Sequence, residues 1–205
     1  MSFTEFAAPR HPALYAEAKE YRSKLLREHR AAIASLPISG GTRQAMGGAA
    51  NPALLYFLTR WLQPRVVLET GVSAGVSSRA ILDAMAVNGF GKLFSSDLPT
   101  HLRPDQVGLM VPEHLRSNWR LHLDGDKANI PLILEETGGK IDLVHYDSDK
   151  SYEAKLRFIN TLGPITDRAV VAFDDIDRDL AFREIARRLG KPSVVVGAVG
   201  ILNLS

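Results

Sequence analysis

The stretch Val66-Val67-Leu68-Glu69-Thr70-Gly71-Val72-Ser73-Ala74-Gly75-Val76-Ser77 decides how this chain folds. It starts as a short apolar, β-branched run that takes in an acid, the pattern of a buried strand. Gly71 and Gly75 then let the backbone turn sharply and lie close to a ligand, where a Cβ would intrude. Ser77 is placed to cap the following helix, whose apolar side carries Ala80, Ile81, Ala84 and Met85. Strand, glycine turn and helix in this order make a nucleotide-binding arrangement, with an ordinary strand-to-helix connection as the alternative. The spacing separates cofactors. A dinucleotide turn reads G-x-G-x-x-G, whereas here residue 73 is serine, the glycines are four apart and Glu69 precedes the first by two.

The chain has 205 residues, 45% of them hydrophobic, which suits a single α/β domain over 1–205. Residues 1–50 read as an N-terminal helix and flap loop, and 51–205 as the α/β core. No run of about eighteen apolar residues occurs. Residues 1–10 carry acid, proline and phenylalanine where a secretory leader needs a basic start and an apolar stretch, so a cytoplasmic protein with no membrane partner is expected. With no cysteine, disulfides, thiolate metal sites and cysteine nucleophiles are excluded. Net charge is +2. The cationic run Arg183, Arg187, Arg188 and Lys191 suits a helix C-terminus better than a nucleic-acid face, so no nucleic-acid partner is expected.

Leu14, Tyr15, Ala18, Tyr21, Leu25, Leu26 and Ile33 recur at helical spacing and form an apolar stripe on a long charged helix, a surface that could serve a homodimer. Pro37 to Ala50, with glycines at 40, 41, 47 and 48, breaks that pattern, and a helix restarts near Asn51-Pro52. From Val66 onward, strands are expected at Val66–Thr70, Lys92–Ser96, Trp119–Leu123, Ile141–Tyr146 and Ala169–Phe173, alternating with amphipathic helices. Such nearly all-apolar strands belong to a parallel sheet covered on both faces, with ligands at the carboxyl ends. The tail reads as a hairpin, Ser193–Val196 and Ile201–Leu204 around Gly197-Ala198-Val199-Gly200.

Function should therefore sit at the strand ends. Asp97 follows the second strand, where a short acceptor can reach ribose hydroxyls; a turn cap before Pro99 is the alternative. His145 lies within an apolar strand and reads first as a core histidine. The fourth strand ends Tyr146-Asp147-Ser148-Asp149-Lys150 and the fifth ends Phe173-Asp174-Asp175, bringing Asp147, Asp174 and Asp175 to neighbouring edges of one crevice. Three uncompensated carboxylates would repel one another, and a divalent cation resolves this. Oxygen ligands favour a hard ion such as Mg²⁺.

The E-x-G-x-x-x-G turn resembles motif I of class I S-adenosylmethionine-dependent methyltransferases. That resemblance implies a Rossmann-like fold, with a mainly parallel seven-stranded sheet, a C-terminal antiparallel hairpin and N-terminal helices. It implies S-adenosylmethionine as cofactor, held by Glu69, Gly71, Gly75 and Ser77. Asp124-Gly125-Asp126 followed by Ile130-Pro131-Leu132 resembles the family's adenine-side loop, which adds Gly125 and Asp126, and the flap positions Met46 and Gly47 resemble those covering the methionine end. The strand-four and strand-five acids resemble the magnesium-dependent O-methyltransferases of the catechol/caffeoyl-CoA and macrocin/sugar types. Position by position, Asp147, Asp174 and Asp175 match the metal ligands and Lys150 the catalytic base, with Asp147 also in the catalytic set. The paired aspartates look like the sugar group and the lysine like the catechol group, so the acceptor is a small hydroxylated molecule of either class. The resemblance covers roughly residues 44–204. A nitrogen or nucleic-acid methyltransferase, or a binding protein without chemistry, are the other readings; against the former, strand four continues as Asp-Ser-Asp-Lys and no basic face is seen.

Overall fold

A computed structural model describes residues 1–35, 51–100 and 102–204. Among the described residues, α1 (Phe3–Ala7) and α2 (Pro12–Ser35) come before α3 (Pro52–Leu62). Next come β1 (Val66–Thr70), α4 (Val76–Asn88), β2 (Lys92–Ser96), β3 (Trp119–His122), α5 (Asp126–Glu136), β4 (Leu143–Tyr146) and α6 (Tyr152–Leu162). The chain finishes with β5 (Val170–Phe173), α7 (Ala181–Leu189), β6 (Ser193–Val196) and β7 (Val199–Leu202). The strands form one sheet in the order β3-β2-β1-β4-β5-β7-β6. The five leading strands run parallel, and β7 runs antiparallel to both β5 and β6. This is the expected α/β architecture with its terminal hairpin.

Alternation along each strand divides the core into two layers. Val67, Leu93, Leu143, Ala172 and Ile201 face Leu54, Leu58 and Ile81 of α3 and α4. Leu68, Val144 and Val171 face the opposite layer, where Ile133, Phe158 and Ile185 of α5, α6 and α7 cover them. Both faces of β4 and β5 are buried, which is why those strands read as unbroken apolar runs. The start of α3 follows from Asn51, whose side chain accepts from the Leu54 amide at 3.4 Å, with Pro52 in the first turn.

Several boundaries differ from the sequence reading, and β3 ends at His122 and β5 opens at Val170, each one residue inside the expected Leu123 and Ala169. Ile141 and Asp142 precede β4 rather than opening it, because the Asp142 carboxylate accepts from the amides of Arg65 (2.8 Å) and Val66 (3.0 Å) and ties the start of β1. The hairpin closes more tightly, with Val196 opposite Val199, leaving Gly197-Ala198 as a two-residue turn with Gly197 at φ +60°. Ser77 is not the helix cap. Gly75, at φ +85°, occupies that place without a side-chain bond, and Ser77 is buried inside the first turn. Among the described residues no helix is long and apolar enough to cross a membrane. The flap positions Met46 and Gly47 lie outside the described residues.

Candidate active site

A cavity of about 770 Å³ opens at the carboxyl ends of β1, β2 and β4, within the range of small-molecule sites. Its floor is the glycine turn, from Gly71 to Ala74, continued by Ser77. Gly71 is at φ +80°, and a Cβ there would stand 2.4 Å from the Asp147 carbonyl oxygen and 2.6 Å from its carbon. The turn therefore rests directly on the end of β4. Gly75 does not line the cavity. A Cβ on it would come within 2.7 Å of the Gly108 Cα, so it admits the segment whose Gly108 and Met110 amides donate to Ser73 and Ala74 carbonyls.

Acids surround this floor. One oxygen of Asp97, Oδ2, accepts from the amides of Val72 (2.6 Å) and Ser73 (2.8 Å), and the residue also forms part of the cavity wall. The residue expected to meet ribose thus first fixes the turn. Gly125, whose amide donates to the Asp97 carbonyl at 3.0 Å, and Asp126 continue the wall beside it, where Asp126 accepts from Ser96 (2.7 Å) and from Ser148. Arg157 and Phe158 of α6 complete that side. Sequence reasoning passed over them, because a lone arginine on an amphipathic helix carries no local sign of facing a cavity.

Glu69 does not reach the cavity. It is completely buried behind the turn, where Oε2 accepts from Ser78 (2.6 Å) and Ser95 (2.7 Å), and Ser95 in turn accepts from the Trp119 indole at 2.9 Å. Burial pushes its pKa up, but the neighbouring His145 and the hydroxyls of Ser77 and Ser78 outweigh this and hold the carboxyl below the usual range. Its second oxygen, Oε1, faces His145 Nδ1 at 3.7 Å, too long for a hydrogen bond.

Next to the turn, a ring nitrogen of His145 and carboxylate oxygens of Asp147 and Asp174 all lie within 4.8 Å of one another. Asp147 belongs to both constellations, since it also lines the cavity. Lys150 reaches back to this group, pairing closely with Asp147 Oδ1 and donating to its carbonyl at 2.8 Å, with Asp175 Oδ2 at 3.2 Å. Burial moves its pKa below the usual lysine value, opposed by Asp175 and Asp174. Asp175 itself stands apart from the cluster. With φ at +52°, its side chain turns towards Lys150 and Arg178 (3.4 Å) instead of continuing the line of Asp174. Its carbonyl accepts at 3.3 Å from the wholly buried Lys155, which also pairs with Asp179 at 2.9 Å and so ties down the loop after β5. His145, read from sequence as core, joins the acids, and the available signal was its place two residues before Asp147 on the same strand face.

A family model described as a methyltransferase domain matches residues 68–176. The fold is similar to that of a TDP-rhamnose 3'-O-methyltransferase of calicheamicin biosynthesis, at TM-score 0.59 and 18% identity, covering 88% of this chain and 93% of that one. It is also similar to an SAH-bound methyltransferase of Podospora anserina, at TM-score 0.61 and 15% identity over 100% of this chain and 98% of the other. A Geobacter sulfurreducens methyltransferase aligns at TM-score 0.56 and 17% identity, covering 86% and 95%. No curated protein sequence matches the chain significantly.

Proposed function

This chain belongs to the methyltransferase domain family, and from that premise we propose that it is an S-adenosylmethionine-dependent O-methyltransferase that uses a divalent cation to methylate a small hydroxylated molecule. The observation that carries this reading is Asp147, which at once lines the cavity beside the glycine turn and shares a cluster of potential metal ligands with Asp174 and His145. A cofactor seated on the turn would thus lie next to a cation at the acids.

The donor set fits such an ion. Carboxylates of Asp147 and Asp174 can hold it, and their only cationic close neighbour among the described residues is Lys150. When bound, the dication supplies Lewis acidity that lowers the pKa of the acceptor hydroxyl. The chain's own residues do the rest. Asp97 holds the Val72 and Ser73 amides and so sets the shape of the cofactor floor. Lys150, in its neutral form, takes the hydroxyl proton at Nζ as the oxygen attacks the methyl carbon. The O–CH₃ bond forms while the S–CH₃ bond breaks, the sulfonium becomes a neutral thioether, and the proton ends on the lysine. Ile130 and Phe158 give the cavity an apolar wall on the side of α5 and α6.

The test is a titration of S-adenosylhomocysteine into the purified protein, followed by transfer of labelled methyl groups from S-adenosylmethionine to a panel of catechols and sugars, with and without chelator. Binding of the product cofactor and chelator-sensitive transfer to one of these hydroxyl classes are expected. Failure to bind would overturn the cofactor assignment, and transfer undiminished by chelator would overturn the role of the metal.

A further inference from the structure

We propose that His145 is a third protein ligand of the divalent cation, oriented from behind by Glu69, and that the site consequently prefers a borderline transition-metal dication such as Co²⁺ or Zn²⁺ to Mg²⁺. This rests on the reading that Asp147 and Asp174 hold a dication.

Position on the sheet comes first. Glu69, Ser95, His145 and Ala172 form one rung across β2, β1, β4 and β5, and adjacent residues on a rung point to the same face. Asp147 and Asp174 lie two positions beyond His145 and Ala172, on that same face at the sheet edge. The histidine therefore stands directly beneath the acids, with a ring nitrogen within 4.8 Å of both carboxylates. Ligands of an octahedral dication stand about 3 Å apart when adjacent and about 4 Å when opposite, so the three groups need only close slightly on an ion.

The second observation is a pair of orphans. His145 is 1% exposed and Glu69 is 0% exposed, yet His145 Nδ1 and Glu69 Oε1 both lack a hydrogen-bond partner while facing each other at 3.7 Å. Buried polar atoms are rarely left this way. A histidine that gives one nitrogen to a metal donates the N–H of the other to a carboxylate, which fixes its tautomer and its ring. A small tilt of the imidazole towards the acids and a shorter contact to Glu69 would satisfy both orphans together. An imidazole in the set moves the preference from hard oxygen-seeking ions towards transition metals. The Mg²⁺ expected from the acids alone is then the weaker occupant.

The experiment uses the whole chain with S-adenosylhomocysteine present. Mn²⁺-loaded wild-type protein is examined by pulsed EPR, unlabelled and with [¹⁵N]histidine, and Mg²⁺, Co²⁺ and Zn²⁺ are titrated calorimetrically. A directly bound imidazole nitrogen that changes its coupling on ¹⁵N labelling is expected, with Co²⁺ and Zn²⁺ at least about tenfold tighter than Mg²⁺. In His145→Asn and Glu69→Gln, Co²⁺ affinity should fall about 10- to 100-fold with far less change for Mg²⁺. Because the EPR measurement needs no variant, misfolding of a substituted protein does not compromise it. Binding of Mn²⁺ with no histidine nitrogen overturns the inference and leaves an oxygen-only metal site. Failure of every dication to bind overturns the metal reading as well.

Discussion

Substituting Gly71 by alanine should damage stability and chemistry together, and Gly89 provides the control that separates the causes. The two glycines share nearly the same backbone, φ +80° at Gly71 and +81° at Gly89. Either alanine incurs the left-handed strain of about 1–2 kcal/mol. At Gly89 nothing lies within 4 Å of the added Cβ, so the cost ends there. At Gly71 the new atom would meet the Asp147 carbonyl oxygen at 2.4 Å, its carbon at 2.6 Å and the Ser148 amide nitrogen at 2.9 Å, all backbone. Carbon contacts settle at about 3.5 Å, so the end of β4 must retreat by about 1 Å. Such overpacking adds about 1–3 kcal/mol, which gives a total of about 2–5 kcal/mol against about 1–2 for Gly89→Ala. The retreating residue is Asp147, and a displacement of about 1 Å at a reacting centre costs up to about 100-fold in rate. Urea unfolding of both variants, with calorimetric titration of S-adenosylhomocysteine and of Co²⁺, measures each part. If Gly71→Ala matched Gly89→Ala in stability to within about 0.5 kcal/mol and kept its dication affinity, the direct coupling of turn to acid would be refuted.

Two further outcomes follow from the hydrogen bonds. Asp97→Ala should loosen the turn by leaving the Val72 and Ser73 amides without their charged acceptor, costing about 2 kcal/mol and lowering S-adenosylhomocysteine affinity at least about tenfold; unchanged affinity would remove Asp97 from the cofactor site. Because the Glu69 carboxyl is held below its ordinary value by His145 and the serine hydroxyls, against the burial that would raise it, the unfolded chain takes up its proton first as pH falls. Its contribution is therefore complete above the unfolded value of about 4.3 and is lost as pH drops through the folded one. Wild-type stability should fall more steeply than that of Glu69→Gln below about pH 4.3, measured by urea unfolding at a series of acidic pH values, and parallel curves would refute the assignment.

Features that depend on neighbours in sequence were readable from it. The β1 turn, the parallel strands and the acids after β4 and β5 are written as apolar runs followed at once by polar residues, and each lies where that pattern puts it. Features that depend on neighbours across strands were not. Nothing local says that Asp97 meets the amides at 72 and 73, because that contact exists only once β1 and β2 pair side by side. His145 resembles a core residue because its flanks are apolar, and its partner Glu69 is 76 residues away. Asp174 and Asp175 read as one pair, yet the left-handed backbone at Asp175 sends the two carboxylates in different directions. Capping failed for a related reason. Gly75 can adopt the left-handed conformation that this turn needs, so the helix begins without a side-chain cap, and the serines that follow turn inward to Glu69.

The placement of Glu69 changes how the acid in the sequence motif is to be understood. It is a fully buried strand residue on the same sheet face as the acids, two positions short of them, and it does not itself line the cavity. Its partners are Ser78 on α4, Ser95 on β2 and His145 on β4, three different elements that meet the two sides of β1. That carboxylate bears on the cofactor turn through α4, whose first turn carries Ser77 on the cavity wall and Ser78 on Glu69, and through Ser95, two residues before Asp97 on β2, whereas it meets the acid cluster through His145. Substitution there should consequently divide in its effects, weakening dication binding through the histidine more than it weakens the cofactor through the helix. A loss confined to the cofactor would mean that the serines, not His145, carry the influence of this buried acid.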